Sequence, residues 1–116
     1  MFSCGIDIVK ISRFYFLMEK YGEKFLNRLF SKEELEYCKG KIRFVECLAG
    51  KFAAKEAVIK ALRLTGVALR DIRILNVEGR PTVYIKGEMQ NTIDVSISHD
   101  GDYAVAACFY GRCSNG

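Results

Sequence analysis

The stretch Lys51–Leu62, with the sequence KFAAKEAVIKAL, decides most about the fold. On a helical wheel at about 100° per residue, its small apolar side chains share one broad side, and Phe52 and Ile59 lie on the other side between two charged pairs. The small side chains are Ala53, Ala54, Ala57 and Ala61, and the charged pairs are Lys51/Lys55 and Glu56/Lys60. An ordinary surface helix has a single polar face. This pattern therefore predicts a helix that is buried over much of its surface and directs its charges into clefts.

The segments on either side of this helix predict a mixture of helices and strands. Cys4–Val9 alternates as a strand does, with Ile6 and Ile8 on one face and Asp7 on the other. The remaining predicted elements are a helix over Ser12–Phe30 with a break near Gly22, a helix opened by a capping box at Ser31–Glu34 and ending at Cys38, a helix over Leu48–Leu62, and strands over Ile72–Val77, Thr82–Ile85, Ile93–Ser98 and Tyr103–Tyr110. Turns are predicted at Glu78–Pro81 and His99–Asp102. This order predicts one α+β domain over residues 1–116, with a largely antiparallel sheet packed against helices.

Length and composition exclude several classes of protein. The chain has 116 residues, of which 50% are hydrophobic and 28% charged, which is typical of one globular domain. Its net charge of +4 is too small to indicate nucleic-acid binding, and its longest apolar stretch, Ala104–Tyr110, is far shorter than the ~20 residues of a membrane helix. The N-terminus lacks the features of a secretory signal. We therefore expect neither a nucleic acid nor a membrane as partner, whereas oligomerisation would supplement so small a core.

The cysteines predict a reducing compartment. There are five of them, an odd number, with no Cys-x-x-Cys pair and one histidine in the chain to assist. They are Cys4, Cys38, Cys47, Cys108 and Cys113. A disulfide framework or a zinc site would favour an even count or tighter spacing. We therefore expect reduced, mostly buried thiols and a cytoplasmic protein.

The charged residues that could carry chemistry each have an ordinary structural interpretation. Glu56 and Lys60 are four apart, which is the spacing of a common helical ion pair. Asp7 could be a solvated outward residue of its strand, and His99 a plain turn residue. Taken together, however, two carboxylates, several lysines and one histidine could hold a divalent cation that bridges to a phosphate ester, since Mg²⁺ takes one or two carboxylates plus waters and phosphates. The glycine-rich signatures of nucleotide-triphosphate and dinucleotide folds are absent.

Three blocks of the sequence carry a resemblance to a known family. They are Gly5–Val9 with Ile11 and Arg13-Phe14, Phe52–Leu62, and Val95–Ala106. In composition, order and spacing they resemble the holo-(acyl-carrier-protein) synthases, the short-chain class of 4′-phosphopantetheinyl transferases. The resemblance extends from Gly5 to about Ala107. It implies the 4′-phosphopantetheinyl transferase fold and a single domain of that kind.

The resemblance implies an enzyme that transfers the phosphopantetheine arm of coenzyme A to a serine of apo-acyl carrier protein, for fatty acid biosynthesis, and releases adenosine 3′,5′-bisphosphate. By matching motif positions, Asp7 and Glu56 would bind Mg²⁺, and Glu56, directly or through a metal-bound water, would act as base for the serine hydroxyl. Lys60 would stabilise the pyrophosphate leaving group. The residues matched to coenzyme A binding are Lys51, Lys55, Lys60 and His99. Of these, Lys51 and His99 match positions near the 3′-phosphate, where the family more often has arginine in place of Lys51; lysine keeps the charge but loses bidentate geometry.

The first predicted helix carries a possible docking face for the acidic carrier protein. If that helix were continuous, four basic residues would fall within about 80° of one another on the wheel, and the alternative is a solvated basic face. They are Arg13, Lys20, Lys24 and Arg28. The family docks acyl carrier proteins on this helix, which assigns the four residues to docking. Family members of this length are usually homotrimers with active sites between protomers, so we expect the same here.

Some features depart from the family pattern, and two other functions stay open. Arg63–Gly66 replaces the glycine-threonine-glycine-like turn of the family, and the segments up to Asp71 and from Lys39 to Glu46 are shorter. The first alternative is a non-enzymatic module that holds an acidic protein or RNA on its basic helix. The second is a structural subunit that has kept the fold and lost catalysis.

Overall fold

The computed structural model describes residues 1–111, which form three α-helices and six β-strands. In chain order these are β1 (Phe2–Lys10), α1 (Ile11–Leu29), α2 (Lys32–Lys39), α3 (Phe44–Leu62), β2 (Ile72–Val77), β3 (Arg80–Ile85), β4 (Glu88–Met89), β5 (Ile93–Asp100) and β6 (Tyr103–Gly111). A 3₁₀ turn, Leu69–Asp71, precedes β2. Within this part of the chain, no helix combines the length and the apolar character needed to cross a membrane.

The strands form two antiparallel three-stranded sheets. One has the order β1-β6-β5 and the other the order β2-β3-β4. In the first sheet Asp7 pairs with Ala106 and His99 with Ala104, so β6 lies between the two strands that carry predicted site residues. The α+β class with a largely antiparallel sheet is confirmed.

Helix α3 is the centre of the fold and packs on all sides. Its four alanines at positions 53, 54, 57 and 61 are buried between the sheets, while Phe52 packs against a second apolar cluster formed with α1 and α2. Gly5 of β1 lies so close to α3 that a Cβ there would be 2.2 Å from the carbonyl oxygen of Ala57. The close approach predicted from the small side chains is therefore present, and it brings β1 directly against α3.

Local signals at the helix ends are confirmed. Ser31 and Glu34 form the predicted capping box, with each side chain bonded to the main-chain N–H of the other residue. Gly22 has a φ of 64° and interrupts the helical backbone inside α1. A positive φ costs glycine little and other residues more. The break therefore occurs at the residue suited to it.

Some boundaries differ from the prediction. His99 lies inside β5 rather than in the hairpin turn, and α3 begins at Phe44 rather than at Leu48. The turn between β2 and β3 is the pair Glu78-Gly79, both with positive φ, so β3 begins at Arg80. The 3₁₀ turn and β4 were not predicted, because elements of two or three residues leave no hydrophobic period to recognise.

The prediction of reduced cysteines is wrong for one pair. Cys38 and Cys47 form a disulfide with their Cα atoms 5.6 Å apart. Cys4 is free and exposed, and Cys108 is free and buried, while Cys113 lies outside the described residues. The sequence does not reveal this pair, because the contact depends on how α2 meets the start of α3.

Candidate active site

Elements β1, α1 and α3 surround a cavity of about 490 Å³ that contains both carboxylates of the predicted metal site. Asp7 comes from β1 and Glu56 from α3. The alternation of β1 turns Asp7 towards α3, where its side chain is 18% exposed, and turns Ile6 and Ile8 outward, where they are 64% and 63% exposed. The interpretation of Asp7 as an outward solvated residue is therefore wrong.

Lys60 forms an ion pair with one of these two carboxylates, Asp7. Its Nζ donates to Oδ1 of Asp7 at 3.1 Å and to the carbonyl oxygen of Ile6 at 2.9 Å. Among the ion pairs of residues 1–111, Lys60 is paired with Asp7 and not with Glu56. The ordinary helical pair between positions 56 and 60 does not form, and the ammonium instead links α3 to β1.

The cavity perturbs Glu56 in a direction that suits a base. Partial burial raises the pKa of the Glu56 carboxyl, the nearby charge of Asp7 raises that pKa further, and Lys60 partly offsets both effects. Burial and a like charge disfavour the ionised form of a carboxyl group. A carboxylate with a raised pKa is also a stronger proton acceptor. Glu56 is therefore a partly buried carboxyl group with a raised pKa in the same cavity as a second carboxylate.

The chemistry of these two side chains fits a magnesium ion. Both carboxylates line one open cavity, and the negative charge of Asp7 contributes to the raised pKa of Glu56. Within residues 1–111, no histidine, cysteine or further carboxylate joins Asp7 and Glu56 to form a group of three metal-binding side chains. Mg²⁺ commonly takes one or two carboxylates and fills its octahedron with water and substrate phosphates. The donor set therefore suits an ion that is shared with a phosphorylated substrate.

A larger cavity of about 980 Å³ lies on the other side of α3 and contains Lys51. The Lys51 side chain is nearly buried, and its Nζ donates to the carbonyl oxygen of Ile74 and to Oδ1 of Asn76, the latter at 3.1 Å. The same ammonium lies 4.7 Å from the centre of the Tyr37 ring. Burial is the main cause that lowers the Lys51 pKa, to about 8.

His99 borders the same cavity from β5. Its Nε2 lies 3.0 Å from the carbonyl oxygen of Glu46 near the start of α3. Gly50 faces the imidazole, and a Cβ at Gly50 would lie 2.7 Å from Nε2. A glycine is therefore needed here for the histidine to approach the helix, and Lys51 and His99 line one cavity.

Lys55 does not belong to either cavity, and its assignment to coenzyme A binding is wrong. The residue is fully buried. Its Nζ donates to Oε1 of Glu34 and to the carbonyl oxygens of Leu29 and Leu69, and the other carboxylate oxygen of Glu34 accepts the N–H of Ile74. All three ammonium donors are therefore used inside the protein. Lys55 ties α1, α2 and the 3₁₀ turn to α3, and β2 joins this network through Glu34, because the helix turns position 55 away from the clefts.

The four basic residues proposed for docking are all exposed but do not share one continuous helix. Gly22 breaks α1, so Arg13 and Lys20 lie before the break and Lys24 and Arg28 after it. The condition for the aligned basic face, a continuous helix, is therefore not met, and the assignment of the four residues to docking stays a prediction. Of the four, Arg13 lines the cavity that contains Asp7 and Glu56.

The sequence did not indicate Tyr37 and Asn76, which contact Lys51 at the large cavity. Tyr37 lies on α2 and Asn76 on β2, 14 and 25 residues from Lys51 in the chain. No spacing rule links such positions. The one available signal was the prediction that this helix is largely buried and directs its charges into clefts. A charge in such a place requires polar partners.

Comparisons with known proteins show the family to which the chain belongs. The family model of the 4′-phosphopantetheinyl transferase superfamily matches residues 3–108. The holo-[acyl-carrier-protein] synthase of Aquifex aeolicus is 42% identical, covering 95% of this chain and 98% of the relative, and that of Clostridium kluyveri is 44% identical, covering 91% and 87%.

Solved structures show the same fold. The ACPS–CoA complex of Chronobacterium ammoniagenes has a TM-score of 0.82 at 31% identity, covering 97% of this chain and 99% of that chain. The holo-[acyl-carrier-protein] synthase of Helicobacter pylori in complex with coenzyme A has a TM-score of 0.78 at 32% identity, covering 90% and 96%.

Proposed function

Because this chain belongs to the 4′-phosphopantetheinyl transferase superfamily, we propose that it acts as a holo-(acyl-carrier-protein) synthase. It transfers 4′-phosphopantetheine from coenzyme A to a serine of apo-acyl carrier protein, and the product serves fatty acid biosynthesis. The observation that carries this proposal is that Asp7 and Glu56 line one cavity while Lys60 donates a hydrogen bond to Asp7. A non-enzymatic module has no use for two carboxylates in one cavity beside a lysine.

The reaction is a displacement at phosphorus. The serine oxygen forms a bond to the β-phosphorus of coenzyme A, and the bond from that phosphorus to the bridging oxygen breaks. Adenosine 3′,5′-bisphosphate leaves with the electron pair, and Glu56 takes the serine proton, directly or through a water. Lys60 lies within reach of Asp7 and places a positive charge where negative charge develops on the leaving group.

Asp7 and Glu56 are the residues that would hold Mg²⁺. When bound, the ion neutralises charge on the pyrophosphate as the serine attacks. Lys60 keeps Asp7 oriented through its 3.1 Å contact, so the two carboxylates stay directed to one cleft. Removal of the ion should therefore stop transfer while the fold is retained.

We assign the adenosine end of coenzyme A to the 980 Å³ cavity and its 3′-phosphate to the side of that cavity near Lys51 and His99. The cavity has the volume for a nucleotide and is bordered by cationic side chains, which suits a phosphate. Lys41 and Arg43 add positive charge at its rim. Because α3 separates this cavity from the Asp7–Glu56 cleft of the same protomer, the assignment requires that one coenzyme A binds the large cavity of one protomer and the cleft of its neighbour.

We assign docking of the acidic carrier protein to the exposed basic residues of α1, with Arg13 as the principal one. Arg13 borders the Asp7–Glu56 cavity, so a carboxylate bound there would bring the acceptor serine close to Glu56. Lys20, Lys24 and Arg28 extend positive charge along both segments of α1. Such charge matching mainly accelerates encounter and weakens with salt.

We further propose a homotrimer, with active sites between protomers. Its support is the outward face of the first sheet, where Ile6, Ile8 and Phe109 are more than half exposed although they lie in strands. Cys4 pairs with Phe109 and Ile6 with Ala107, so these apolar side chains share one face. A second copy could cover that face.

We also propose that the protein lies in the cytoplasm. The disulfide removes the argument from reduced cysteines, so this proposal is based on the substrates that we assign to the protein.

The test is the intact mass of an apo-acyl carrier protein after incubation with this protein, coenzyme A and Mg²⁺. We expect a gain of one phosphopantetheine arm, and no gain with EDTA or with Glu56→Ala. Light scattering of the same sample tests the trimer. Absence of any gain with several carrier proteins, despite a folded oligomer, would contradict the proposed activity. An unchanged gain with Glu56→Ala would contradict the assigned base.

A further inference from the structure

The ammonium of Lys51 is held from several sides by groups that carry no net charge. The residue is 3% exposed, and its hydrogen-bond acceptors are the carbonyl oxygen of Ile74 and Oδ1 of Asn76. The ring of Tyr37 lies on a further side. Within residues 1–111 no carboxylate forms an ion pair with Lys51. The positive charge is therefore nearly removed from solvent and has no ion-pair partner.

This contact determines how the Asn76 carboxamide is oriented. An ammonium donates hydrogen bonds and accepts none, so the oxygen of the amide, and not its nitrogen, must face Lys51. The NH₂ group then occupies the other branch of the amide. Asn76 is exposed and borders the 980 Å³ cavity, so the two N–H donors of this group are available there.

We propose that Asn76 makes the direct contact with a phosphate in the large cavity, and that Lys51 is a positioning residue that orients Asn76. The inference rests on the proposed function, which assigns the adenosine end of coenzyme A to this cavity. The phosphate that contacts Asn76 is then the 3′-phosphate of coenzyme A. The ammonium of the nearly buried Lys51 polarises the Asn76 amide. The exposed N–H groups of Asn76 then present partial positive charge to the ligand.

Lys41 adds to this arrangement from the rim. Its Nζ lies 4.8 Å from the centre of the same Tyr37 ring that contacts Lys51. The aromatic ring is thus in contact with two cations, which are placed on the same side of the molecule as Asn76. Lys41, Arg43 and Lys51 border the cavity together with one carboxylate, Glu46, which is paired with Arg43. Positive side chains therefore outnumber negative ones around Asn76, as an anionic ligand requires.

The experiment compares coenzyme A with 3′-dephospho-coenzyme A as donors for Asn76→Asp and Asn76→Ala. Asn76→Asp keeps the acceptor for Lys51 but removes both N–H donors and adds a negative charge. We expect it to raise KM for coenzyme A about tenfold or more, since a hydrogen bond to a charged group contributes roughly that factor. We expect kcat and the KM for 3′-dephospho-coenzyme A to change less than about twofold.

Asn91→Asp is the matched control. It makes the same change of amide to carboxylate at an exposed residue between β4 and β5 that does not line the large cavity. It should leave both KM values at the wild-type level. Equal effects of Asn76→Asp on the two donors, or no effect on either, would overturn the assignment of Asn76.

Lys51→Met tests the positioning role. If Lys51 acts through Asn76, the double variant with Asn76→Ala should raise KM for coenzyme A little more than either single variant does, because the two changes remove one interaction. Fully additive effects would overturn the positioning role.

The failure of the proposed function can be distinguished from the failure of this inference. If the wild type transfers no phosphopantetheine, calorimetric binding of adenosine 3′,5′-bisphosphate and of adenosine 5′-monophosphate replaces the kinetic readout. In that case the inference is supported if Asn76→Asp weakens binding of the bisphosphate more than binding of the monophosphate. Equal binding of the bisphosphate by wild type and variant overturns it.

Discussion

His99 and Gly50 meet so closely that a methyl group on Gly50 would lie 2.7 Å from Nε2 of the imidazole. The histidine belongs to β5 and the glycine to α3, so this contact positions the ring against the helix that carries Lys51. The absence of a side chain at position 50 thereby shapes one wall of the large cavity.

Gly50→Ala should displace His99 and weaken its contact with the carbonyl oxygen of Glu46. We expect KM for coenzyme A to rise about three- to tenfold, while stability changes little, because alanine gains up to about 1 kcal/mol of helix propensity over glycine. Steady-state kinetics and urea unfolding measure the two quantities. Gly111→Ala is the control, since a Cβ there lies at an ordinary 3.5 Å from its nearest neighbour and outside both cavities. An unchanged KM in Gly50→Ala would show that the ring position is unimportant.

Glu56→Gln should separate catalysis from stability. Loss of the proton acceptor should lower kcat about 10²- to 10⁴-fold. A folded-state pKa above the ordinary value means that the ionised Glu56 opposes folding at neutral pH. The neutral glutamine should therefore leave the unfolding midpoint unchanged or raise it. A large fall in the midpoint would mean that Glu56 serves the structure, and that the loss of activity reports misfolding.

Arg13→Glu should act on the carrier protein and not on coenzyme A. Reversal of the charge beside the Asp7–Glu56 cavity repels an acidic partner, so we expect KM for the carrier protein to rise by about tenfold or more and KM for coenzyme A to stay within about twofold. The difference should shrink as salt is added. Arg63→Glu reverses a charge at the exposed end of α3, outside both cavities, and should change neither constant. Equal changes in the two KM values would contradict docking by Arg13.

The lowered pKa of Lys51 predicts a stability that increases at alkaline pH. Below about pH 8 the lysine is charged in the folded and unfolded states, and its burial lowers the free energy of unfolding. Between about pH 8 and the unfolded value near 10.5 the folded state releases the proton first, so the unfolded state binds more protons and stability increases. The gain attributable to Lys51 is at most about 3 kcal/mol.

Urea unfolding of the wild type and Lys51→Met from pH 7 to 10.5 measures this effect. The free energy of unfolding of the wild type should increase relative to that of Lys51→Met across the upper part of the range. Lys51→Arg keeps its charge throughout and should show no such relative increase. A difference between wild type and Lys51→Met that is constant with pH would mean that the ammonium is not destabilised by burial.

The disulfide between Cys38 and Cys47 predicts a dependence on reductant. Opening a loop of this length should lower the free energy of unfolding by about 2–3 kcal/mol. Unfolding with and without dithiothreitol measures the change, and alkylation before and after reduction should differ by two groups per chain. Cys47→Ser should be insensitive to the same reductant. An alkylation count that reductant does not change would mean that the two thiols are free in solution.

Local features of this protein were predictable from the sequence because the interactions behind them join residues three or four positions apart. The capping box of Ser31 and Glu34 and the break at Gly22 are of this kind. The alanine-rich face of α3 was predictable for the same reason, since a fixed helical period determines which side chains share a side. The order of helices and strands then restricted the fold to an α+β class.

The tertiary structure alone decided which groups the charged side chains meet. Lys51 and Lys55 are four residues apart on α3, yet the first borders the large cavity and the second is buried on Glu34, because α2 and β2 pack over the helix at different points. Asp7 contacts Lys60 across 53 residues of sequence, and Asn76 contacts Lys51 across 25. Contacts of this range depend on how whole elements pack against each other. The helical and strand periods give no information about that packing. The sequence by itself determined the elements and the candidate chemistry, and the packing determined which side chains can act together.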